Sequence, residues 1–326
     1  MRATAATASD VQHWDELVVA TGQPHVLQSA GWGELRAATG WSVRRFVLDG
    51  GVAQVLLKPL PLGLSVAYAP RGPLVAPERL ADAIAALRDA LARERCASLL
   101  CDPEAPDDPQ VRASLGRSGV RASPVFVQPR RTLLMDLSKS DDELFAAMRK
   151  KTRQYIHKAE RAGVVTEEKR DLDRFMKVLS AVAVRDRFAI RSRDYFERLL
   201  AAFGDRALLM FARVGDDDAG AMLLVRMADR AWELYGGWSG AHAEARPFYL
   251  LKWRAMLRMR QLGVRRYDMW GLAEGADDPL VGVENFKLGY GGEVVAWIGA
   301  LETPVRRMLY PLWQLAARRR LARSAA

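Results

Sequence analysis

The chain has 326 residues and a formal net charge of +10, from 49 lysines and arginines against 39 aspartates and glutamates. Half of the residues are apolar and 27% are charged, which excludes a disordered or fibrous protein and, at this length, indicates about two domains. The sequence has only two cysteines, no apolar run of about 18 residues and no leader-like N-terminus, which predicts a cytoplasmic protein without disulfide bonds or membrane spans. The surplus positive charge points to a polyanionic partner.

The first half of the chain predicts a strand-rich domain. Strand patterns at 41–49 and 52–59 flank a Gly-Gly pair and indicate a hairpin. A third strand ends at Tyr68, a helix that begins with proline is predicted over about 77–94, and a buried strand ends at Asp102.

A single long helix is predicted over 141–162. Ser140 and Glu143 form a capping-box pattern at its start. Its polar face is basic and includes Lys150 and Arg153. Two interpretations of this face stay open: an ordinary solvated surface, or a stripe that binds phosphates.

The second half repeats the element order of the first. Strands at 206–214 and 219–228 form a hairpin, a strand ends at Tyr235, a helix covers about 247–262, and a strand ends at Asp268. Equivalent features lie about 170 residues apart although their sequences are not alike, so the repeat is one of architecture. Three strands, a helix and a strand in each copy indicate an α/β (α+β) fold of two tandem GNAT (acyl-CoA N-acyltransferase)-like domains.

The predicted boundaries are 1–140 for the first domain and 141–302 for the second, followed by a tail at 303–326. The tail interleaves apolar residues with six arginines and has no acidic residue. This pattern is typical of a basic amphipathic helix. Three uses of the tail stay open: packing on the body of the protein, contact with anionic lipid, and contact with RNA.

Most common catalytic motifs are absent from the sequence. The four histidines are scattered without metal-ligand spacing, so no metal site is expected. There is no GxSxG, P-loop or GxGxxG motif. The [RQ]xxGx[GA] loop with which GNAT proteins hold the pyrophosphate of acyl-CoA is missing before both predicted helices, so coenzyme A is not the expected acyl donor.

The stretch 267–299 is the richest in candidate functional residues. It places Phe286 and Lys287 beside the glycine-dense turn LGYGG, and glycines allow backbone to approach a bound group closely. A lysine there can stabilise a developing oxyanion or hold a phosphate. The same pattern also fits a tight helix-to-strand turn with an exposed lysine, and spacing alone does not choose between the two.

Several motifs in this order resemble the FemABX family of peptidoglycan aminoacyltransferases. FKLGYGG (286–292) precedes a strand and YDMWG (267–271) ends one, while the first half carries LQSAGWGELR (27–36) and YAPRGP (68–73). The resemblance covers about residues 25–305 and implies two tandem acetyltransferase-like domains. The length leaves no room for the coiled-coil arm that some members insert, so the chain resembles the short, FemX-like form.

The resemblance implies transfer of an amino acid from aminoacyl-tRNA to the stem-peptide amine of a peptidoglycan precursor, the step that builds interpeptide bridges of the cell wall. It implies no cofactor and no metal, because the ester donor is already activated. The expected partners are aminoacyl-tRNA and either UDP-MurNAc-pentapeptide or lipid II, with a peripheral contact to anionic membrane and a monomeric state. An acyl-CoA-dependent GNAT-type N-acyltransferase and a non-catalytic tRNA- or RNA-binding protein remain as alternatives.

Positions that match the family's motifs imply the site residues. Lys287 would stabilise the oxyanion or the tRNA terminus, and Asp102 would orient or deprotonate the acceptor amine. The first domain is assigned to the precursor and the second to the aminoacyl-tRNA. Residues implied to bind the precursor are Arg36, which stands where the family often has lysine, Arg191, Tyr195 and Tyr235. Residues implied to contact the tRNA are Phe286, Lys150 and Arg153.

Overall fold

The chain folds as two compact units. The computed structural model describes residues 1–125, 127–186, 189–275, 278, 281–311 and 314. Unit 1 comprises Met1–Arg130 and the chain from Ala296 onward, and unit 2 comprises Arg131–Val295.

Unit 1 contains one mixed sheet of seven strands in the order β1-β2-β3-β4-β5-β14-β6. All neighbours are antiparallel except the parallel pair of β4 and β5. The strands are β1 (Ala3–Ala5), β2 (Ser42–Leu48), β3 (Gly51–Leu60), β4 (Leu64–Ala69), β5 (Cys96–Cys101), β6 (Arg121–Ala122) and β14 (Leu301–Pro304). The α-helices described in this unit are α1 (Ala8–Gln12), α2 (Trp14–Ala20), α3 (Ala30–Ala37), α4 (Leu80–Leu91) and α5 (Pro109–Arg117).

Unit 2 contains a second sheet of seven strands in the order β13-β7-β12-β11-β10-β9-β8, and its β11 and β12 are parallel. The strands are β7 (Arg131–Asp136), β8 (Val165–Glu168), β9 (Ala207–Val214), β10 (Asp217–Met227), β11 (Arg230–Trp238), β12 (Arg266–Gly271) and β13 (Glu293–Ala296). The α-helices described in this unit are α6 (Asp141–Ala147), α7 (Lys150–Arg161), α8 (Leu172–Asp186), α9 (Arg193–Phe203), α10 (Pro247–Gln261) and α11 (Val281–Lys287).

The predicted architectural repeat is confirmed. Unit 1 runs through the hairpin β2–β3, then β4, α4 and β5, and unit 2 runs through the hairpin β9–β10, then β11, α10 and β12. The division between the units lies earlier than the predicted boundary at 140 because β7 pairs with β12 of the second sheet. It also lies earlier than 302 at the other end because β14 pairs with β5 of the first sheet.

The single helix predicted over 141–162 is wrong. The capping box is present, since the Ser140 hydroxyl accepts from the Glu143 N–H at 3.2 Å, but α6 ends at Ala147 and α7 starts at Lys150. Between them Met148 adopts an extended ψ of 151°. Met148 is buried, and the N–H of Arg149 donates to the carbonyl of Gly289 at 2.9 Å. Tertiary contacts therefore interrupt a helix that the local pattern would continue.

Each unit buries its own apolar core. In unit 1 the apolar face of α4, which includes Leu80, Ile84 and Leu87, is buried in the core with strand residues of β3 and β5. In unit 2 the core is rich in large side chains such as Trp253 and Tyr267. Over the residues that the structure describes, no helix has the length and apolarity needed to cross a membrane.

Candidate active site

A cavity opens in unit 2 where the parallel strands β11 and β12 separate. They pair only from Arg230–Trp232 to Arg266–Asp268, after which β11 continues beside β10 and β12 continues beside β7. The cavity has a volume of about 930 Å³. Its lining includes six aromatic residues: Tyr235, Trp238, Phe248, Tyr249, Trp270 and Phe286.

The equivalent strands of unit 1 do not separate in this way. There β4 and β5 stay paired up to Ala69 and Cys101, the last residues of both strands. The two copies of the fold therefore differ at the place where unit 2 has its cavity.

Lys287 is the last residue of α11 and lines the cavity. Its ammonium donates to the carbonyls of Trp270 at 3.2 Å and Gly271 at 2.7 Å. An ammonium has three protons, so these two contacts leave one for a ligand. The alternative interpretation expected an exposed lysine on a tight turn, whereas the Lys287 side chain is half-buried and lies in the cavity wall.

Asp268 shapes the backbone that holds Lys287. Its buried carboxylate accepts from the N–H of Trp270 at 2.7 Å and from the hydroxyl of Thr132. Trp270 takes a left-handed φ of 61°, and the pairing of β12 with β7 shifts register between Asp268 and Gly271. The two carbonyls that Lys287 binds, those of Trp270 and Gly271, belong to this irregular segment.

Burial, and after it the positive charge of Lys252, lower the pKa of Lys287 to about 8. Removing a charged group from water disfavours its charged form, and a nearby like charge acts in the same direction. Lys287 is therefore a stronger acid than an ordinary lysine.

A buried ion pair lies in the same cavity wall and was not predicted from the sequence. Lys252 of α10 binds the carboxylate of Glu233 on β11, and the Tyr267 hydroxyl donates to the other oxygen of that carboxylate at 2.7 Å. The signal was present in the sequence, because an acid in the strand pattern AWELYGG and a lysine in the helix pattern RPFYLLKW each interrupt an apolar run. Nothing in the linear sequence shows that the two charges meet.

The glycines of the FKLGYGG motif pack against protein. A Cβ on Gly289 would lie 2.4 Å from the Thr152 hydroxyl of α7, and a Cβ on Gly292 would lie 2.7 Å from the Leu134 carbonyl of β7. Gly291 and Gly292 also both have a φ of 83°, which favours glycine. The motif therefore docks the end of α11 onto its neighbours and so fixes the position of Lys287.

Replacing Gly289 by alanine is expected to destabilise the protein by about 1–3 kcal/mol, because the new methyl group overlaps Thr152. Thr152→Ala in the same chain removes the overlapping hydroxyl and should restore most of the loss. Gly282→Ala in α11 is the matched control, since nothing lies within 4 Å of its added Cβ. Urea unfolding measures all three variants. Equal midpoints for Gly289→Ala and Gly282→Ala would contradict the packing argument.

Three residues predicted to bind the precursor come together in unit 2. The Tyr235 hydroxyl donates to the Tyr195 hydroxyl at 3.1 Å. The Arg191 guanidinium lies over the Tyr195 ring, 5.6 Å from its centroid. Tyr235 lines the cavity, and Ser192 caps α9 by accepting from the N–H of Tyr195. The roles of these residues stay predictions.

The residues predicted to contact tRNA differ in their surroundings. The Phe286 ring stacks on Phe248 with centroids 5.7 Å apart and meets Tyr249 edge-on at 4.8 Å. Lys150 is exposed at the first position of α7. The Arg153 guanidinium donates to the carbonyls of Ala146 at 3.0 Å and Met148, so it also satisfies the end of α6.

The two predicted site residues of unit 1 are Arg36 and Asp102. The Arg36 guanidinium lies over the Trp41 ring at 4.9 Å. The Asp102 carboxylate is 2% exposed and accepts from the Tyr68 hydroxyl and from the N–H of Arg71, both at 2.6 Å. These contacts hold the YAPRGP segment against the end of β5, and the proposed role of Asp102 toward the acceptor amine stays a prediction.

Burial raises the pKa of Asp102 to about 6, whereas an aspartate in an unfolded chain titrates near 3.9. Between these values the folded protein binds more protons than the unfolded chain, so stability from this group is full below about pH 4 and falls as the pH rises through 6. The expected loss is roughly 3 kcal/mol. Asp102→Asn should remove this loss, which urea unfolding at pH 4 and pH 7 of both proteins measures. If the change in stability between pH 4 and pH 7 is the same in Asp102→Asn as in the wild-type protein, the prediction is wrong.

The tail predicted at 303–326 lies only partly within the described residues. Thr303 and Pro304 belong to β14 and pair with β5. Residues 312, 313 and 315–326 are outside the described part of the chain.

Both units carry the strand–helix–strand arrangement of GNAT-like proteins, and the chain is thus a tandem GNAT-like protein. A solved tandem GNAT protein from the clavulanic acid biosynthesis pathway is similar, with a TM-score of 0.55, 19% identity, and coverage of 94% of this chain and 98% of that one. A crystal structure of FemX matches with a TM-score of 0.84 and 22% identity over 96% of this chain and 99% of that chain.

The family follows from the sequence comparison. The FemAB family model matches residues 10–108, 121–219 and 216–318, and the chain belongs to this family. Lipid II:glycine glycyltransferase of Staphylococcus aureus is 29% identical over 223 residues, which cover 61% of this chain and 53% of that protein. The chain therefore spans about half the length of the curated relatives it matches.

Proposed function

We propose that this protein transfers an amino acid from aminoacyl-tRNA to the stem-peptide amine of a peptidoglycan precursor and so builds interpeptide bridges. The observation that carries the proposal is the Lys287 ammonium, held by two carbonyls in the wall of an aromatic cavity. Membership of the FemAB family and the similarity to a lipid II:glycine glycyltransferase support the class of reaction.

The reaction is the attack of an amine nitrogen on the carbonyl carbon of an aminoacyl ester. A C–N bond forms, the ester C–O bond breaks, and the proton lost by the amine leaves on the ribose hydroxyl. The former carbonyl oxygen of the ester bears the negative charge in the tetrahedral intermediate, and a fixed cation with a free proton stabilises it. Lys287 supplies that cation, and its low pKa makes it a better hydrogen-bond donor than an ordinary lysine.

The remaining roles divide between the two substrates. In this proposal Phe286 contributes to stacking the terminal adenosine of the tRNA, and Lys150 and Arg153 face its phosphates. The precursor is held by Arg36, Arg191, Tyr195 and Tyr235. The arginine guanidinium groups can bind its phosphate oxygens in a bidentate way. Asp102 acts on the acceptor side.

We favour lipid II over the soluble nucleotide precursor as the acceptor, because the curated relative is named for lipid II. A lipid-linked acceptor fits a protein that works as a monomer at the inner face of the membrane, with the basic tail touching anionic lipid. Deletion of 305–326, which keeps β14 whole, should then weaken binding to vesicles that contain anionic lipid. Unchanged vesicle binding would remove the tail from this role.

The test of the function is reconstitution. The purified chain is mixed with pools of charged tRNA and with either UDP-MurNAc-pentapeptide or lipid II, and the muropeptide product is analysed by mass spectrometry. The expected result is an amino acid added to the stem-peptide amine. Binding of coenzyme A in calorimetry would favour an acyl-CoA-dependent enzyme. Binding of tRNA regardless of its aminoacylation, without any transfer, would favour an RNA-binding protein.

A further inference from the structure

The cavity of unit 2 holds a second lysine whose surroundings differ from those of Lys287. The Lys252 side chain is 2% exposed and that of its partner Glu233 is 10% exposed. Each group comes from a different element, α10 and β11, and β12 adds the Tyr267 hydroxyl to the same carboxylate. Three elements that border the cavity therefore meet at this ion pair.

Stability does not account for the pair. Taking two charges out of water costs more than their attraction commonly returns, and well-packed apolar residues of the same size are often as stable or more so. The position of the pair suggests another use, because both residues line the cavity that contains Lys287.

Three aromatic rings surround the Lys252 ammonium. Its ammonium lies 5.5 Å from the centroid of Phe286, 5.9 Å from that of Tyr290 and 6.0 Å from that of Phe248. A ring face attracts a cation at such distances. The Lys252 ammonium is held between Glu233 and these rings. It therefore lies beside Phe286, the residue that precedes Lys287.

We propose that the Glu233–Lys252 pair is a positioning device that holds a second cation in the cavity wall beside Lys287. A like charge at that place favours release of the proton that Lys287 carries. Its value to catalysis rests on the proposed function, in which Lys287 donates to the oxyanion. A catalytic acid acts best when its own acidity is matched to the working pH. The pair would bring Lys287 toward that match.

The charges that face Lys287 agree with this role. Burial is the largest influence that lowers its pKa and Lys252 is the next, while Glu233 and Asp268 act in the opposite direction. The pKa values of the tyrosines nearby, Tyr267 and Tyr290, lie well above their usual range because both rings are buried, so these groups stay neutral. Lys252 is thus the charged group that works with burial to make Lys287 acidic.

Competitive labelling of the full chain tests the proposal without any assay of transfer. Trace acetic anhydride reacts with the neutral amine of each lysine, and mass spectrometry gives the extent at Lys287 from pH 6 to 11. The expected midpoint of the wild-type protein is about 8. Lys252→Met removes the repulsion and should move the midpoint upward, and each half-unit rise lowers labelling at pH 7 by about threefold.

A second variant protects the test from a folding defect. Lys252→Met leaves Glu233 without its cation, whereas Lys252→Met with Glu233→Gln removes both charges and keeps an acceptor for Tyr267. The double variant should show a smaller rise in the same direction, because Lys252 outweighs Glu233 in its effect on Lys287. The matched control is Arg258→Met with Glu168→Gln, which removes an exposed pair between the same helix α10 and β8.

Two outcomes would overturn the proposal. One is a wild-type Lys287 midpoint in the ordinary lysine range near 10.4. The other is an unchanged midpoint in both Lys252 variants. If the wild-type protein shows the expected labelling midpoints but transfers no amino acid, the proposed function is contradicted and the coupling of the two lysines stands. In an active enzyme the alkaline limb of the kcat profile should move with the labelling midpoint.

Discussion

Replacing Lys287 by methionine is expected to lower kcat for aminoacyl transfer by about 10²–10³-fold, because the tetrahedral oxyanion loses its cationic donor. Methionine keeps the length and apolar volume of the lysine stem, so the cavity wall stays filled. The two carbonyls that accept from the ammonium, those of Trp270 and Gly271, lose one donor. The loss of folding stability should therefore not exceed about 1–3 kcal/mol.

The measurement is single-turnover transfer from charged tRNA, with urea unfolding of each protein. Lys177→Met is the control, since Lys177 is an exposed lysine of α8 in the same unit. It should keep full activity. If Lys287→Met retains most of its activity, the oxyanion is stabilised by another group and Lys287 has a different role.

Regular patterns made much of the fold predictable. Alternating and continuous apolar runs around short turns identified the hairpins β2–β3 and β9–β10, and the later repetition of the same order identified two copies of one domain. Each hairpin depends on residues close together in the chain, so its signal lies within its own stretch of sequence. The repeat then follows from comparing the order of the elements in the two halves.

The break between α6 and α7 could not be predicted in this way. Apolar spacing and the capping box both support a continuous helix, and no glycine or proline interrupts it. The break depends on burial of Met148 and on the Gly289 carbonyl that accepts from Arg149. Gly289 lies far along the chain, so the cause is tertiary.

The candidate site was predictable only in part for the same reason. Lys287 stands out because it lies in a glycine-dense motif, and the structure places it in the cavity wall. Glu233 and Lys252 carry a weaker mark, since each is a single charged residue that interrupts an apolar run, and Asp268 is a single acid in the strand-end motif YDMWG. Their importance arises from meeting at the point where β11 and β12 separate.

Breaking the Glu233–Lys252 pair from one side is expected to cost far more stability than removing it whole. Lys252→Met leaves a largely buried carboxylate that keeps the Tyr267 hydroxyl as a partner at 2.7 Å but has lost its cation. Such an uncompensated charge costs about 3–5 kcal/mol. Adding Glu233→Gln to Lys252→Met removes the charge and keeps a hydrogen-bond acceptor. The double variant should therefore recover most of the loss.

Urea unfolding resolves this difference as a change of midpoint at constant slope. The exposed pair of Arg258 and Glu168, whose side chains are 39% and 40% exposed, gives the reference, because removing either partner should cost less than about 1 kcal/mol. Additive effects of the two substitutions in the buried pair would mean that neither charge depends on the other. Strong coupling between the two substitutions would instead show that Glu233 keeps Lys252 in place as a second cation beside Lys287. The fold can set the acidity of Lys287 only if that cation is held there.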